Sequence, residues 1–494
     1  MGPIDDEIWL EQGGISSGDQ YKVYNSSQVQ SSQSSRLGVQ LGPEHVASIA
    51  QADDVALCSN DIFNLQCLLT LTVDYCSNYN VELSSEKTKL IAFFDSKTKD
   101  DAEYAMEINP VVLNGKPVDF SSSADHVGIS RTNGGNLENL YDRITAHKRA
   151  IGGIVSVGLA HGHRANPIAT LHIQRTYGIP VLFSGLSALS LSAAELGILD
   201  HHLKQVCQSS QKLLPRTPDC VVYFLGGILP SKAQLHCKQL NLFGMVTRLN
   251  SNVLKNLAIF ILSYTKKSSG SWFHHIRDLC IQYALPHPLD LLSAPPTKET
   301  FSKLFKARIT DFWENELRIR SDLSSLKYFH PSFMSLKTPH PIWKTAKENP
   351  HEVNKARIQA ILLSGRYRLR SLTKHWTNDG SSCPFPSCSR SSPEESIEHF
   401  LIFCPGLAET RDNLFLQWTM IAEKYPILSD VINNAIHGPP DFRCQFILDC
   451  SVLPDTISLA QLYGEDVLHK LFHLTRTFCY VLHRARDTIL SPSQ

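Results

Sequence analysis

Two groups of side chains in this sequence have the types and spacing to do chemistry. The first is Asp53-Asp54, within Gln51-Ala52-Asp53-Asp54 and between the apolar runs Val46 to Ala50 and Val55 to Cys58. Short apolar runs on either side of a polar pair predict a β-hairpin with both carboxylates at its tip. Adjacent carboxylates held there can bind divalent cations that act on a phosphoryl group. An ordinary Asp-Asp surface turn has the same sequence. The second group is Cys383-x4-Cys388-x10-His399-x4-Cys404. Three thiolates and one imidazole suit tetrahedral Zn²⁺, and with protein at all four positions no site stays open for water, so the role is structural. Zinc would fix a small loop-rich unit with little core of its own. Four unrelated residues are the other reading, because the chain has 13 cysteines and 21 histidines.

Further motifs surround the acidic pair in a fixed order. Gln12-Gly13-Gly14-Ile15-Ser16-Ser17 lies upstream; Leu83-Ser84-Ser85-Glu86-Lys87-Thr88 and His126-Val127-Gly128-Ile129 lie downstream. In that order and spacing, residues 1–130 resemble the reverse transcriptases of non-LTR (LINE-type) retrotransposons. The corresponding features there are a Q-G-x-x-x-S segment opening a helix, an A-D-D hairpin, a helix ending in L-N-x-x-K-T, and a short primer-grip-like strand. Many of these enzymes also carry a C-C-H-C cluster after the thumb, preceded as here by a Leu363-Ser364-Gly365-Arg366-Tyr367-like turn. The chain departs from the pattern at Gln51, where an aromatic residue is usual, at Ser17-Gly18 in place of Ser-Pro, and at Ser84 in place of Asn.

The resemblance implies an RNA-directed DNA polymerase, a nucleotidyltransferase of a transposable element. In a complete enzyme Asp53 and Asp54 would help hold two Mg²⁺ ions, one lowering the pKa of the primer 3′-hydroxyl and the other bridging the triphosphate. In-line attack on the α-phosphate then releases pyrophosphate. Lys87 would sit near that leaving group, or is simply an exposed lysine. Gln12, Gly13, Gly14 and Ser17 would contact template or incoming nucleotide, since glycine lets the backbone approach a base pair and a glutamine amide can hydrogen-bond it. The Ser/Gln-rich run Ser26 to Ser35 supports reading Gln12 and Gly13 instead as part of a flexible loop. The implied partners are an RNA template, a DNA primer or target, and deoxynucleoside triphosphates. The family places fingers and another metal-binding aspartate well upstream of the Gln-Gly segment. The expectation is therefore an N-terminally truncated enzyme with half a palm, inactive alone. The alternatives are a non-catalytic nucleic-acid-binding or interaction protein derived from such an element, and an open reading frame with no selected role.

Around these residues the elements read as an α+β protein. The expected organisation is a partial palm over 1–130, an antiparallel sheet with helices, then a helical thumb-like region over 131–283. Pro-rich connectors and helices fill 284–353, a basic helix and zinc unit 354–410, and C-terminal helices 411–494. Leu65, Leu68, Leu69, Thr72 and Cys76 predict a helix after the hairpin, and Lys89 to Phe94 a strand. Asn354 to Lys374 is the most basic helical stretch, with Lys355, Arg357, Arg366, Arg368, Arg370 and Lys374 among Ile358, Ile361, Leu362 and Leu369. It reads as a phosphate-binding surface or as the solvated face of a packed helix. The final helix, Val467 to Arg486, has an apolar stripe that should pack on the zinc unit.

Composition fits these readings. The 494 residues are 42% hydrophobic with zero formal net charge, enough for several cores. The charge is uneven, because 17 acidic and 6 basic residues precede residue 111, leaving that segment near −11 and the remainder near +11. An acidic palm half would be offset by metals and substrate phosphates, while the basic remainder could hold a nucleic-acid backbone. Many cysteines without a secretory leader point to a reducing, intracellular setting, nucleus or cytoplasm, and not to secretion. The longest uncharged apolar stretch, Gly178 to Ala194, is interrupted by Ser and Gly and reads as a buried helix, with no membrane partner.

Overall fold

The acidic segment folds as its apolar flanks require. In the computed structural model β3 (Ser48–Gln51) pairs antiparallel with β4 (Asp54–Leu57), with Gln51 opposite Asp54 at the hairpin end. The structure describes residues 17–51, 53–94, 99–126, 128–132, 135–156, 165–250, 252–264, 270–346, 349–374, 380–388 and 391–490. They are mostly helical, with small and mainly antiparallel sheets, an α+β arrangement.

Ahead of the hairpin come α1 (Ser17–Ser34), β1 (Val39–Leu41) and β2 (Glu44–Val46). After it come α2 (Ile62–Asn78), β5 (Lys89–Leu90), α3 (Lys99–Ile108), β6 (Val112–Leu113), β7 (Lys116–Pro117), β8 (Asp119–Phe120), β9 (Ser123–His126), β10 (Ile129–Thr132) and α4 (Leu137–Ser156). Each sheet among the described residues has two strands, and the pairs are β1-β2, β3-β4, β6-β7 and β9-β10, all antiparallel, with β5-β8 parallel. A broader palm-like sheet is thus not formed among these residues.

Helical side chains occupy the open strand edges. Gln33 of α1 accepts from the Ala47 N–H (3.1 Å) and donates to the Ser48 carbonyl (3.4 Å). Gln66 of α2 accepts from the Val112 N–H (2.7 Å) and donates to its carbonyl (3.0 Å). Asn139 of α4 does the same for Ser130, at 2.8 Å both ways. A primary amide matches a peptide group donor for acceptor, so each of these replaces one rung of a missing strand.

The chain divides into two compact units, one of residues 1–142, 185–191 and 239–302, the other of 143–184, 192–238 and 303–494. In the first, Asp61 caps α2 by accepting from the Asn64 N–H. Leu69, Val111 and Leu113 are buried against Leu57, Ile62, Leu65, Val73, Leu83, Leu90 and Val118. The Ser/Gln-rich run is helical instead of a loop: Gln28, buried, bonds Ser32 and Thr72 at 3.1 Å, so polar side chains carry the α1–α2 contact. Lys89 to Phe94 keeps only Lys89 and Leu90 as strand.

The second unit is a helical body around Glu465–Leu490, which buries Leu471, Phe472, Phe478, Cys479 and Leu482. Phe415, Trp418, Phe446 and Phe478 form its aromatic centre, with ring centroids 5.1 to 5.6 Å apart. Gln359 ties three helices by donating to the Ile447 carbonyl (2.8 Å) and the Thr475 hydroxyl (2.9 Å). The expected basic helix is broken. Helix Pro350–Leu363 ends at Ser364, Gly365 turns the chain at φ +63°, and a short helix follows at Arg370–Thr373. A Cβ on Gly365 would lie 2.2 Å from the Ser325 carbonyl oxygen, so the turn needs glycine for both conformation and space. Gly178 to Ala194 is likewise not one helix, since a first helix stops at Leu182, Gly185 takes φ +76°, a 3-10 turn follows at Leu186–Ala188 and a new helix starts at Ala193. No helix among the described residues is long and apolar enough to cross a membrane.

Candidate functional site

The four predicted metal ligands come together. Cys383, Cys388, His399 and Cys404 are all buried, and their ligand atoms lie within 4.8 Å of one another. Sγ of Cys404 is 3.9 Å from that of Cys383 and 3.8 Å from that of Cys388, and Cys388 Sγ is 3.5 Å from His399 Nε2. Tetrahedral zinc with ordinary bond lengths places two thiolates ~3.8 Å apart and a thiolate and imidazole nitrogen ~3.6 Å apart. The sulfurs are far beyond disulfide distance and all are free thiols. The donor set and its spacing therefore fit a metal such as zinc.

Local backbone bonds explain the sequence spacing. His399–Phe403 is a π-helical turn in which the Cys404 N–H donates to the His399 carbonyl at 2.7 Å. Four intervening residues are what this wide turn spans, so His-x4-Cys brings its ends to one side. The other arm is closed by the Cys383 N–H on the Pro393 carbonyl (2.8 Å) and by the Ser382–Glu394 bridge. Burial raises the Cys383 and Cys404 thiols and lowers the His399 imidazole, so each alone favours its neutral form.

A surrounding shell holds this cluster that the spacing did not reveal. Arg411, buried, donates from Nε to the Leu401 carbonyl (3.0 Å) and from Nη2 to that of Cys404 (2.7 Å). Buried Glu395 accepts from Arg486 Nε at 2.8 Å and from the Arg370 N–H at 2.8 Å. The last helix thus packs on the Cys/His unit as expected. An arginine seven residues past the last cysteine is the only sequence trace of Arg411.

The acidic group is simpler. Asp53 and Asp54 are both exposed at the hairpin end. Among the described residues no third carboxylate, imidazole or thiol gathers with them. Gln12, Gly13 and Gly14 lie outside the described residues, and Ser17 is the first residue of α1. Leu83 to Thr88 does not end a helix, because α2 stops at Asn78. Lys87 sits exposed in a turn closed by Thr88 N–H on the Ser84 carbonyl (3.1 Å) and forms no ion pair among the described residues. His126 and Ile129 are opposite each other at the end of the β9-β10 hairpin, with Gly128 at φ +69°, instead of lying in a continuous strand.

The basic residues make mostly internal contacts. Lys355 pairs with Glu352 (2.9 Å) and Lys374 with Glu394 (3.1 Å). Arg357 donates to the Lys212 carbonyl (3.1 Å), Arg366 to that of Arg216, and Arg370 to that of Ser382 (3.3 Å), while Arg368 is exposed. No protein-family model matches this chain, and no curated protein matches it.

Proposed function

We propose that this chain is part of a retrotransposon-type reverse transcriptase, an RNA-directed DNA polymerase, and that it includes one carboxylate wall of a two-metal palm and a structural zinc unit. The observation that carries this reading is the pair Asp53 and Asp54 at the end of the antiparallel β3-β4 hairpin, which packs between α1 and α2. Mg²⁺ would be held at Asp53 and Asp54, and Zn²⁺ at Cys383, Cys388, His399 and Cys404. Nucleotidyl transfer by two metals takes carboxylates from two sides of the ions. With two aspartates gathered, the chain by itself is expected to extend no primer above an Asp53→Ala/Asp54→Ala control with Mg²⁺ or Mn²⁺.

The reading is tested with Fe²⁺ in place of Mg²⁺ on a recessed RNA–DNA primer–template. Radical cleavage should focus at the primer 3′ end and vanish in Asp53→Ala/Asp54→Ala. Cleavage no different from that variant would sink the palm assignment. The lack of a third ligand among the described residues favours one second reading, a non-catalytic nucleic-acid-binding protein derived from such an element. For that reading, salt-dependent RNA binding without focused cleavage is the expected result.

A further inference from the structure

Cations from separate parts of the second unit converge on one surface. Lys212 and Arg216 lie in the loop 211–218, both in the left-handed backbone region at φ 54° and 62°, which side-chain-bearing residues rarely adopt. Two arginines reach across to this loop. Arg357, on helix Pro350–Leu363, donates from Nε to the Lys212 carbonyl at 3.1 Å. Arg366, just past the Gly365 turn, donates from Nη2 to the Arg216 carbonyl. Each bond ties a guanidinium to the loop segment carrying another basic residue. The next residue, Tyr367, hydrogen-bonds His483 Nδ1 at 2.8 Å, which brings the last helix and its exposed Arg484 to the same place.

The charges feel one another. Burial and Arg357 lower Lys212, and burial and Arg216 lower Arg366. His483 is lowered by burial and by Arg486, Arg484 and Arg357, against the opposing pull of Asp487 at 3.3 Å. Gathering like charges gains nothing for folding, whereas a bound polyanion turns their repulsion into attraction. Spacing narrows the ligand. Arg357 and Arg366 stand nine residues apart along a helix and its terminal turn, so their two pairings are on the order of 10 Å apart. That separation is too wide for one isolated phosphate and suits two phosphates of one strand. Tyr480, half-buried with its ring centroid 6.4 Å from that of His483, adds an aromatic surface for a base.

We propose that Lys212, Arg216, Arg357, Arg366 and Arg484 form a site for the phosphodiester backbone of a single nucleic-acid strand. The site deepens the nucleic-acid reading above, but needs neither Asp53 nor Asp54. It is tested on the full chain by fluorescence anisotropy with a labelled mixed-sequence oligoribonucleotide over a salt series. Arg216→Glu/Arg484→Glu should weaken binding at least ~10-fold and make the slope of log K against log salt shallower by about 1.4. Arg216→Lys/Arg484→Lys should stay near wild type. Reversal of exposed Lys303 and Arg308 on another helix should change affinity less than about twofold by the same charge-counting logic. Both mutated arginines are exposed, and the single reversals give the same reading if the double variant melts early. An unchanged slope in Arg216→Glu/Arg484→Glu, equal loss in the Lys303/Arg308 control, or displacement of the strand by inorganic phosphate at matched ionic strength overturns the proposal. This binding is read without Mg²⁺ and the hairpin by focused Fe²⁺ cleavage, so failure of this site and failure of the hairpin reading are told apart.

Discussion

Arg411 shows how single residues decide whether the Cys/His cluster exists as a unit. Its guanidinium bonds the Leu401 carbonyl inside the π-helical turn and the Cys404 carbonyl at its end, the latter also accepting from the Leu407 N–H at 3.1 Å. Replacing it by leucine removes the Arg411 donor from the buried Leu401 carbonyl and one of two donors from that of Cys404, a change of roughly 1 to 3 kcal/mol in stability. Metal affinity should also fall by about 10- to 100-fold, as for other groups that orient ligands from behind. Denaturant unfolding and competition with a zinc chelator measure the two effects. Cys388→Ser or His399→Ala removes a ligand outright. Elemental analysis should then find under about half an equivalent of zinc, against about one in the wild type, with a lower melting temperature.

At the scale of elements, the short sheets of the first unit are completed by amides from helices. Asn139 is the most buried of these, and Asn139→Leu keeps its size while orphaning the N–H and C=O of Ser130. The expected loss is ~2 kcal/mol, with faster hydrogen exchange at the Ser130 amide; unchanged exchange would refute the capping role. The same scale explains why the basic helix was misread. Apolar positions at Ile358, Ile361, Leu362 and Leu369 keep an approximately helical period across Gly365, and only the positive φ and the Ser325 contact show that the helix must stop. For the stretch from Gly178 to Ala194, composition predicted a buried helix, whereas only Gly178, Ile179, Leu182, Phe183, Leu186 and Leu191 are buried and Gly185 turns the chain in the left-handed region. The Ser/Gln-rich run failed in the opposite direction, because a polar helix becomes stable only when a partner such as Thr72 receives its side chains.

Across the second unit, pH acts through buried histidines. His202 Nε2 lies 3.0 Å from His147 Nδ1, and burial, followed by the charges of His147, Lys148 and His201, lowers His202 to about 4. The unfolded chain, with an ordinary imidazole, takes up its proton first as pH falls. Stability from this group is full above about 6.5 and is lost progressively down to about 4, on the order of 3 kcal/mol in all. His202→Gln should flatten the melting temperature over that window; a slope equal to wild type rejects the assignment. Glu352 does not share the window. Burial opposes its charge, but hydrogen bonds from His473 and Lys355 and the Arg476 cation hold it down to about 2.

The sequence by itself determined what depends on neighbours along the chain. The acidic turn followed from two apolar flanks, the helix after it from a 3.6-residue period, and the two arms of the metal cluster from their four-residue gaps, because each is set by backbone geometry within a few residues. Only the tertiary structure decided what depends on meetings between distant segments. The amides at the strand edges, the Arg411 and Glu395 shell, and the convergence of Arg357 and Arg366 on loop 211–218 join residues up to 150 positions apart. Hydrogen-bond partners at such separations leave no periodic trace in composition, since any exposed glutamine or arginine has the same local pattern whether or not a distant carbonyl awaits it.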